Sequence, residues 1–169
     1  MITIRPATLR DMTWIAVHMR EQDRREIRSV IDESDTAIGA MLYGSSQGLA
    51  WCAWINDTPV CAFGVTRLFH GLGSAWAYGS KQMARTIPAV TRFAMRTMKP
   101  MLVAEGFRRI EVRTAIDHDL SHRWLERLGF RCEGIATDYG AGGLDFKTYA
   151  ATRNRGSRNE EIPVRQHEA

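Results

Sequence analysis

Between Arg109 and Gly134 the hydrophobic period of the chain changes twice, and no other stretch restricts the fold as much. Ile110, Val112 and Thr114 alternate with Arg109, Glu111 and Arg113, the period of two that marks a strand with one buried face. Leu120, Trp124, Leu125 and Leu128 then recur at helical spacing, with Asp119 as the expected N-cap and Gly129 where a C′ residue with positive φ is wanted. Phe130, Cys132 and Glu133-Gly134 resume an extended pattern. The segment reads as strand, helix, strand, with almost no loop before the second strand.

The rest of the chain supplies further elements. An opening strand at Ile2 is followed by Thr8 and Asp11 in a capping pattern, predicting a helix through Met12, Ile15, Val17 and Met19 toward Ile27. A second helix follows Asp32-Glu33-Ser34-Asp35, with Ile38, Met41 and Leu42 inward, and Gly44-Ser45-Ser46-Gln47-Gly48 breaks it. Ala50 to Ile55 and Val60 to Leu68 flank the turn formers Asn56-Asp57-Thr58-Pro59 as a hairpin, and His70 to Ser74 turn into a fourth strand, Ala75 to Tyr78. Thr86 is expected to cap a third helix that buries Val90, Phe93, Ala94 and Met101, with Pro100 as its kink. Cys132 to Tyr139 and Leu144 to Tyr149 flank Gly140-Ala141-Gly142-Gly143 as a last hairpin. This order predicts an α/β (α+β) fold, a mixed sheet with helices on both faces. The expected division is one domain over residues 1–150 and a polar C-terminal tail over 151–169.

Composition narrows the class. A chain of 169 residues with 44% hydrophobic content buries a real core. No apolar run reaches the ~18 residues of a membrane span, and Arg5, Arg10 and Asp11 interrupt the start where a signal peptide would be apolar. The expected location is the cytoplasm, with no membrane partner. Cys52, Cys61 and Cys132 are odd in number and lie in strand-like segments, so they read as three reduced core thiols. A net charge of +4 with acids and bases interleaved argues against a nucleic-acid surface.

Leu128-Gly129-Phe130-Arg131-Cys132-Glu133-Gly134, preceded by a strand and an amphipathic helix, resembles the C-terminal half of the GNAT superfamily of acyl-CoA-dependent N-acyltransferases. Ile2-Thr3-Ile4-Arg5-Pro6-Ala7-Thr8 and the helix after it are similar to that superfamily's opening elements. The likeness covers residues 1–150 as an order of elements. A closer likeness is to the small GNAT-like proteins of short-tailed bacteriophages, some of them internal virion or assembly proteins. The resemblance implies a GNAT-like, mostly antiparallel twisted sheet of about seven strands with helices on both faces. It also implies acetyl-CoA or CoA as cofactor, an amine as acceptor, and a cleft between the fourth and fifth strands that admits pantetheine along Trp76, Ala77, Tyr78 and Gly79.

Two family features are altered. The superfamily holds the CoA pyrophosphate on N–H groups of a glycine-bearing loop at the start of the third helix, where unpaired donors and the helix dipole favour an anion. The corresponding Ser80 to Ala89 has no glycine, and Pro88 lacks an N–H. Lys81 and Arg85 could replace the loop by charge and Thr86 by its hydroxyl; the alternative is a capped helix with solvated basic neighbours. The general acid of many members, a Tyr four residues before the Gly of the Gly-Phe pair, is Leu125 here. His118 stands where the family often has Asn and, beyond its place at the cofactor, is a candidate for proton transfer. Tyr78 and His70 are the other catalytic candidates, with His122 beside them; for each, the alternative is a purely structural hydrogen bond.

His118 and His122 have the i, i+4 spacing of zinc helices, but Asp119 replaces the Glu and no third ligand follows, so no metal site is expected. The acidic turn Asp32 to Asp35 attracts a cationic amine or simply caps a helix. The Arg20, Arg24 and Arg28 row with Glu21 and Glu26 reads as a solvated face or a docking surface. The five Trp residues read mostly as core. Two functions remain. One is a GNAT-type N-acyltransferase that moves an acetyl or acyl group to an amine; the other is a non-catalytic phage protein whose partners are structural proteins of the virion.

Overall fold

The computed structural model describes residues 1–153. Seven strands form one open sheet: β1 (Ile2–Pro6), β2 (Ala50–Ile55), β3 (Thr58–Phe69), β4 (Leu72–Gly79), β5 (Arg109–Ala115), β6 (Arg131–Gly140) and β7 (Leu144–Thr152). Their order is β1-β2-β3-β4-β5-β7-β6, and only the β4–β5 pair is parallel. The helices are α1 (Leu9–Val17), α2 (Glu21–Arg28), α3 (Asp35–Ser46), α4 (Ile87–Phe93), α5 (Lys99–Ala104) and α6 (Asp119–Arg127). Among the described residues none is long and apolar enough to cross a membrane. The tail expected from residue 151 begins later, since β7 runs to Thr152; from residue 154 onward it lies outside the described residues.

Strand alternation distributes the core over two faces. Cys61, Phe63 and Val65 pack with Val90, Met98 and Leu102 of the α4–α5 side, while Ala50, Cys52, Ala62 and Tyr78 pack with Met12, Ile15 and Ala16 of α1. The α1–α3 contact needs Gly39, where a Cβ would stand 2.9 Å from the Met12 carbonyl oxygen. Cys52 and Cys61 are wholly buried, and burial raises the Cys61 thiol to about 12. Cys132, expected in the core, is exposed on the edge strand β6.

Several expected boundaries move, each for a local reason. The long first helix is two helices. At Arg20 the backbone turns extended (φ −63°, ψ 151°) and its N–H bonds the Gly79 carbonyl at 2.9 Å instead of continuing the helix. The Thr8–Asp11 capping box forms as expected, yet Val17, read as inward, is 49% exposed. α3 runs through Gly44 and closes at Gln47 in the left-handed region, leaving Met41 exposed. β4 starts at Leu72, three residues early, because Gly71 (φ +77°) completes the turn before it. Ahead of Pro100 a π-helical turn, Ala94–Met98, releases the i→i−4 ladder, so Pro100 falls in the first turn of α5. At α6 the N-cap is His118; Asp119 is already helical and Leu120 is 71% exposed.

Candidate functional site

β4 and β5 run side by side through Leu72–Arg109, Gly73–Ile110 and Ser74–Glu111, and there the pairing stops. β4 continues to Gly79 and β5 to Ala115 as they part, leaving a wedge-shaped gap in the sheet. Main-chain groups line its β4 wall. The Ser80 N–H bonds the Val60 carbonyl (2.9 Å), so residue 80 and, by antiparallel alternation, 78 and 76 address β3. Gly79 addresses the gap instead. Two residues earlier, Ala77 turns its N–H and C=O the same way.

Helix α2 lies across the open end. Asp23, 5% exposed, accepts from the Gly79 N–H (2.9 Å) and from Arg20 Nε and Nη2 (2.8 and 2.9 Å). With the Arg20 N–H on the Gly79 carbonyl, both edge groups of Gly79 are therefore taken by α2 and its N-cap. On the β5 side, Glu26 Oε2 lies 2.8 Å from His118 Nδ1 and accepts from the Thr114 hydroxyl at 3.3 Å. Arg25 pairs with Asp117 at 2.7 Å, and the Ser29 carbonyl accepts from the Ala141 N–H, fastening α2 to the β6–β7 turn.

His118 is the sequence candidate that the fold places at this site. A carboxylate only accepts, so the bond to Glu26 requires a proton on His118 Nδ1; in the neutral tautomer that has it, Nε2 is the acceptor. His122, one turn later, donates from Nε2 to the Ala115 carbonyl (3.0 Å) and stacks on Tyr149. Burial, with Lys147 close by, lowers its pKa and keeps it neutral. Among the described residues no group of three His, Cys, Asp or Glu side chains gathers as metal ligands.

The other catalytic candidates lie elsewhere. Tyr78 is wholly buried, and its hydroxyl donates to the Met12 carbonyl (3.0 Å), tying α1 to the sheet. Burial drives its pKa far up, so it holds its proton. His70 precedes β4 at the paired end, and its carbonyl accepts from Arg108. That puts the length of β4, seven strand steps or roughly 23 Å, between it and the open end. The Trp76 side chain packs on the α1 face beside Tyr78. Ala77 packs toward α4 on the other face.

Much of the loop before α4 is occupied with its own bonds. The N–H groups of Met83, Arg85 and Thr86 bond the carbonyls of Ser80, Gln82 and Met83, closing a 3₁₀ turn at Met83–Arg85. Gln82 N–H turns to the Ser80 hydroxyl. Thr86 is wholly buried and donates to the Met83 carbonyl (2.7 Å), so it neither caps α4 nor faces out. Lys81 and Arg85 are exposed, and Arg85 reaches Gln82 Oε1 at 3.2 Å. In the acidic turn Ser34 is the N-cap, through the Ala37 N–H, and Asp35 is paired with Arg24 and Arg28. The helix-capping reading of that turn holds.

Asp23 and Glu26 are the residues that sequence reading missed. They share a face with Ile27, which packs on the α1-side core. Two acids at i and i+3 beside an inward Ile were the available signal that this face turns in.

No family model matches this sequence, and no curated protein matches it. Solved structures do. A phosphinothricin acetyltransferase from Sinorhizobium meliloti, of the GNAT superfamily and solved with acetyl-CoA, superposes with a TM-score of 0.70 at 16% identity, covering 99% of each chain. An N-acetyltransferase from Staphylococcus aureus gives 0.67 at 16% identity over 90% of this chain and 98% of that one. A GNAT-family acetyltransferase from Streptococcus pneumoniae gives 0.67 at 10% identity over 90% and 99%. At such identities the likeness is one of fold, and the fold is GNAT-like: seven strands, mostly antiparallel, with the β4–β5 splay.

Proposed function

We propose that this chain, working in the cytoplasm, is an N-acyltransferase that takes its acyl group from an acyl-CoA and gives it to an amine in the β4–β5 splay. One observation carries the reading. The open end of the splay brings together the Glu26–His118 pair and the gap-facing main chain of Ala77, a proton acceptor beside a strand edge.

The residues fit the two ends of acyl-CoA unequally. The Ala77 N–H and C=O offer a pantetheine amide the partners that a neighbouring strand would offer. At the diphosphate end the N–H groups of Met83, Arg85 and Thr86 are spent in turns, that of Gln82 goes to the Ser80 hydroxyl, and Thr86 points inward. Lys81 and Arg85 are left to hold phosphate by charge, as flexible side chains rather than a preformed cradle. Bound acyl-CoA supplies an acyl carbonyl already activated as a thioester.

The chain supplies position and a proton route. Glu26 orients the imidazole of His118 through Nδ1, and in the neutral ring the other nitrogen, Nε2, is the acceptor for a proton from the incoming ammonium or amine. Leu125, buried at the base of α6, has no proton to give, so any proton returned to the leaving thiolate comes from His118 or water.

A second reading, a GNAT-like scaffold without acyl transfer that serves in phage assembly or inside the virion, is favoured by a Ser80–Thr86 stretch that has no glycine and whose Gln82, Met83, Arg85 and Thr86 N–H groups already bond within it. Thermal unfolding with millimolar acetyl-CoA separates the two. A ligand at about a hundred times its Kd stabilises the native state by roughly 2.7 kcal/mol. The transferase reading predicts an upward shift of that order with acetyl-CoA and with CoA, and none with inorganic phosphate. No shift, together with copurification with virion proteins, supports the scaffold.

A further inference from the structure

The Gln22 side chain has a shielded amide nitrogen with nothing to bond. Its Nε2 is buried from solvent and has no hydrogen-bond partner. An unmet buried donor carries a desolvation cost of about 1–3 kcal/mol, so such a group in a folded protein calls for an explanation.

Its position supplies one. Gln22 stands one helical turn before Glu26 on the same flank of α2 and next to Asp23. Asp23 is bound to Gly79 on the β4 wall, and Glu26 to His118 and Thr114 on the β5 side. Gln22 therefore stands on the part of α2 that roofs the splay. Its neighbours have met their own needs: Asp23 has Arg20 and Gly79, and Glu26 has His118 and Thr114. What the site still lacks is an acceptor for Gln22.

We propose that Gln22 binds the acyl carbonyl oxygen of the thioester through Nε2, a ligand contact that rests on the transferase reading above. A carbonyl oxygen is an acceptor only, matching the unmet Gln22 Nε2 donor. The amide comes from the α2 side of the splay while the Ala77 edge lies on β4, so the carbonyl would be held between them. Such a contact distinguishes a thioester from a thioether of the same length, which has no carbonyl oxygen.

The test compares acetyl-CoA with S-ethyl-CoA, in which the acetyl carbonyl is a methylene, by equilibrium titration of the full chain. The parent is expected to bind acetyl-CoA about threefold to tenfold more tightly. In Gln22→Met, similar in length and without a donor, that preference falls to about one while S-ethyl-CoA binding is retained. The ligand-free variant should unfold at the parent's temperature or above it, because a buried unmet donor has gone. Gln22→Glu, which substitutes a repelling oxygen for the amide nitrogen, should also lose the preference. A preference preserved in both variants overturns the Gln22 assignment alone. Failure of the parent to bind either ligand overturns the transferase reading, and the assignment with it.

Discussion

Asp23→Ala should lose about 3–5 kcal/mol of folding stability, the cost of removing one partner from a buried ion pair. The carboxylate is 5% exposed and accepts three bonds, two from Arg20 at 2.8 and 2.9 Å and one from the Gly79 N–H at 2.9 Å. Alanine leaves the Arg20 guanidinium, 27% exposed, without its counter-charge and the Gly79 N–H without an acceptor. The missing bond also frees the start of α2 from β4, because the remaining tie there is the Arg20 N–H to the Gly79 carbonyl. Asp23→Asn keeps an acceptor and removes the charge, so its loss should be smaller, about 1–3 kcal/mol. Denaturant unfolding of the three proteins measures both differences. A loss below about 1 kcal/mol for Asp23→Ala would mean that α2 is held over the splay by other contacts.

His118→Gln should lower kcat for acyl transfer about 10²–10⁴-fold, the usual worth of a positioned general base. Glutamine keeps a polar side chain in the Glu26 pocket but cannot take a proton at neutral pH. Glu26→Gln should reproduce much of the loss with His118 intact. An amide in place of the carboxylate no longer selects the tautomer protonated on Nδ1, and a ring with its proton on Nε2 has no free acceptor for the amine. Thr114 also donates to Glu26, so each variant needs its unfolding curve measured beside its kinetics. Losses confined to KM would place the pair in acceptor binding. Unchanged kcat in both folded variants would move the proton route elsewhere.

How much of this was legible in the sequence depends on the range of the interactions. Period, caps and turn formers are local, and they located all seven strands, the Thr8–Asp11 capping box and the Asn56–Pro59 hairpin. Boundaries failed where a distant group outbid the local pattern. The break at Arg20 is set by Gly79, far along the chain, and nothing near Arg20 announces it. Thr86 has the residue type of a cap, but the turn before it presents the Met83 carbonyl to its hydroxyl.

The site divides in the same way. His118 stood out because it occupies, between a strand and a helix, the position where the family that the chain resembles often has Asn. Its partner Glu26 was hidden inside a charged run that any solvated helix shows. Tyr78 and His70 carried suitable chemistry at unsuitable places. One points into the α1 face and the other sits at the closed end of the splay, and neither fact is readable before strand register is known.

The most direct test of the splay as the acyl-carrier site is amide exchange at Ala77, followed by NMR with and without saturating acetyl-CoA. A pantetheine laid along β4 takes that N–H as its partner, so exchange should slow about tenfold or more at Ala77, with no matching change at Tyr78, whose N–H addresses β3. Bound acetyl-CoA that leaves exchange at Ala77 unchanged would contradict the assignment of the β4–β5 splay as its site.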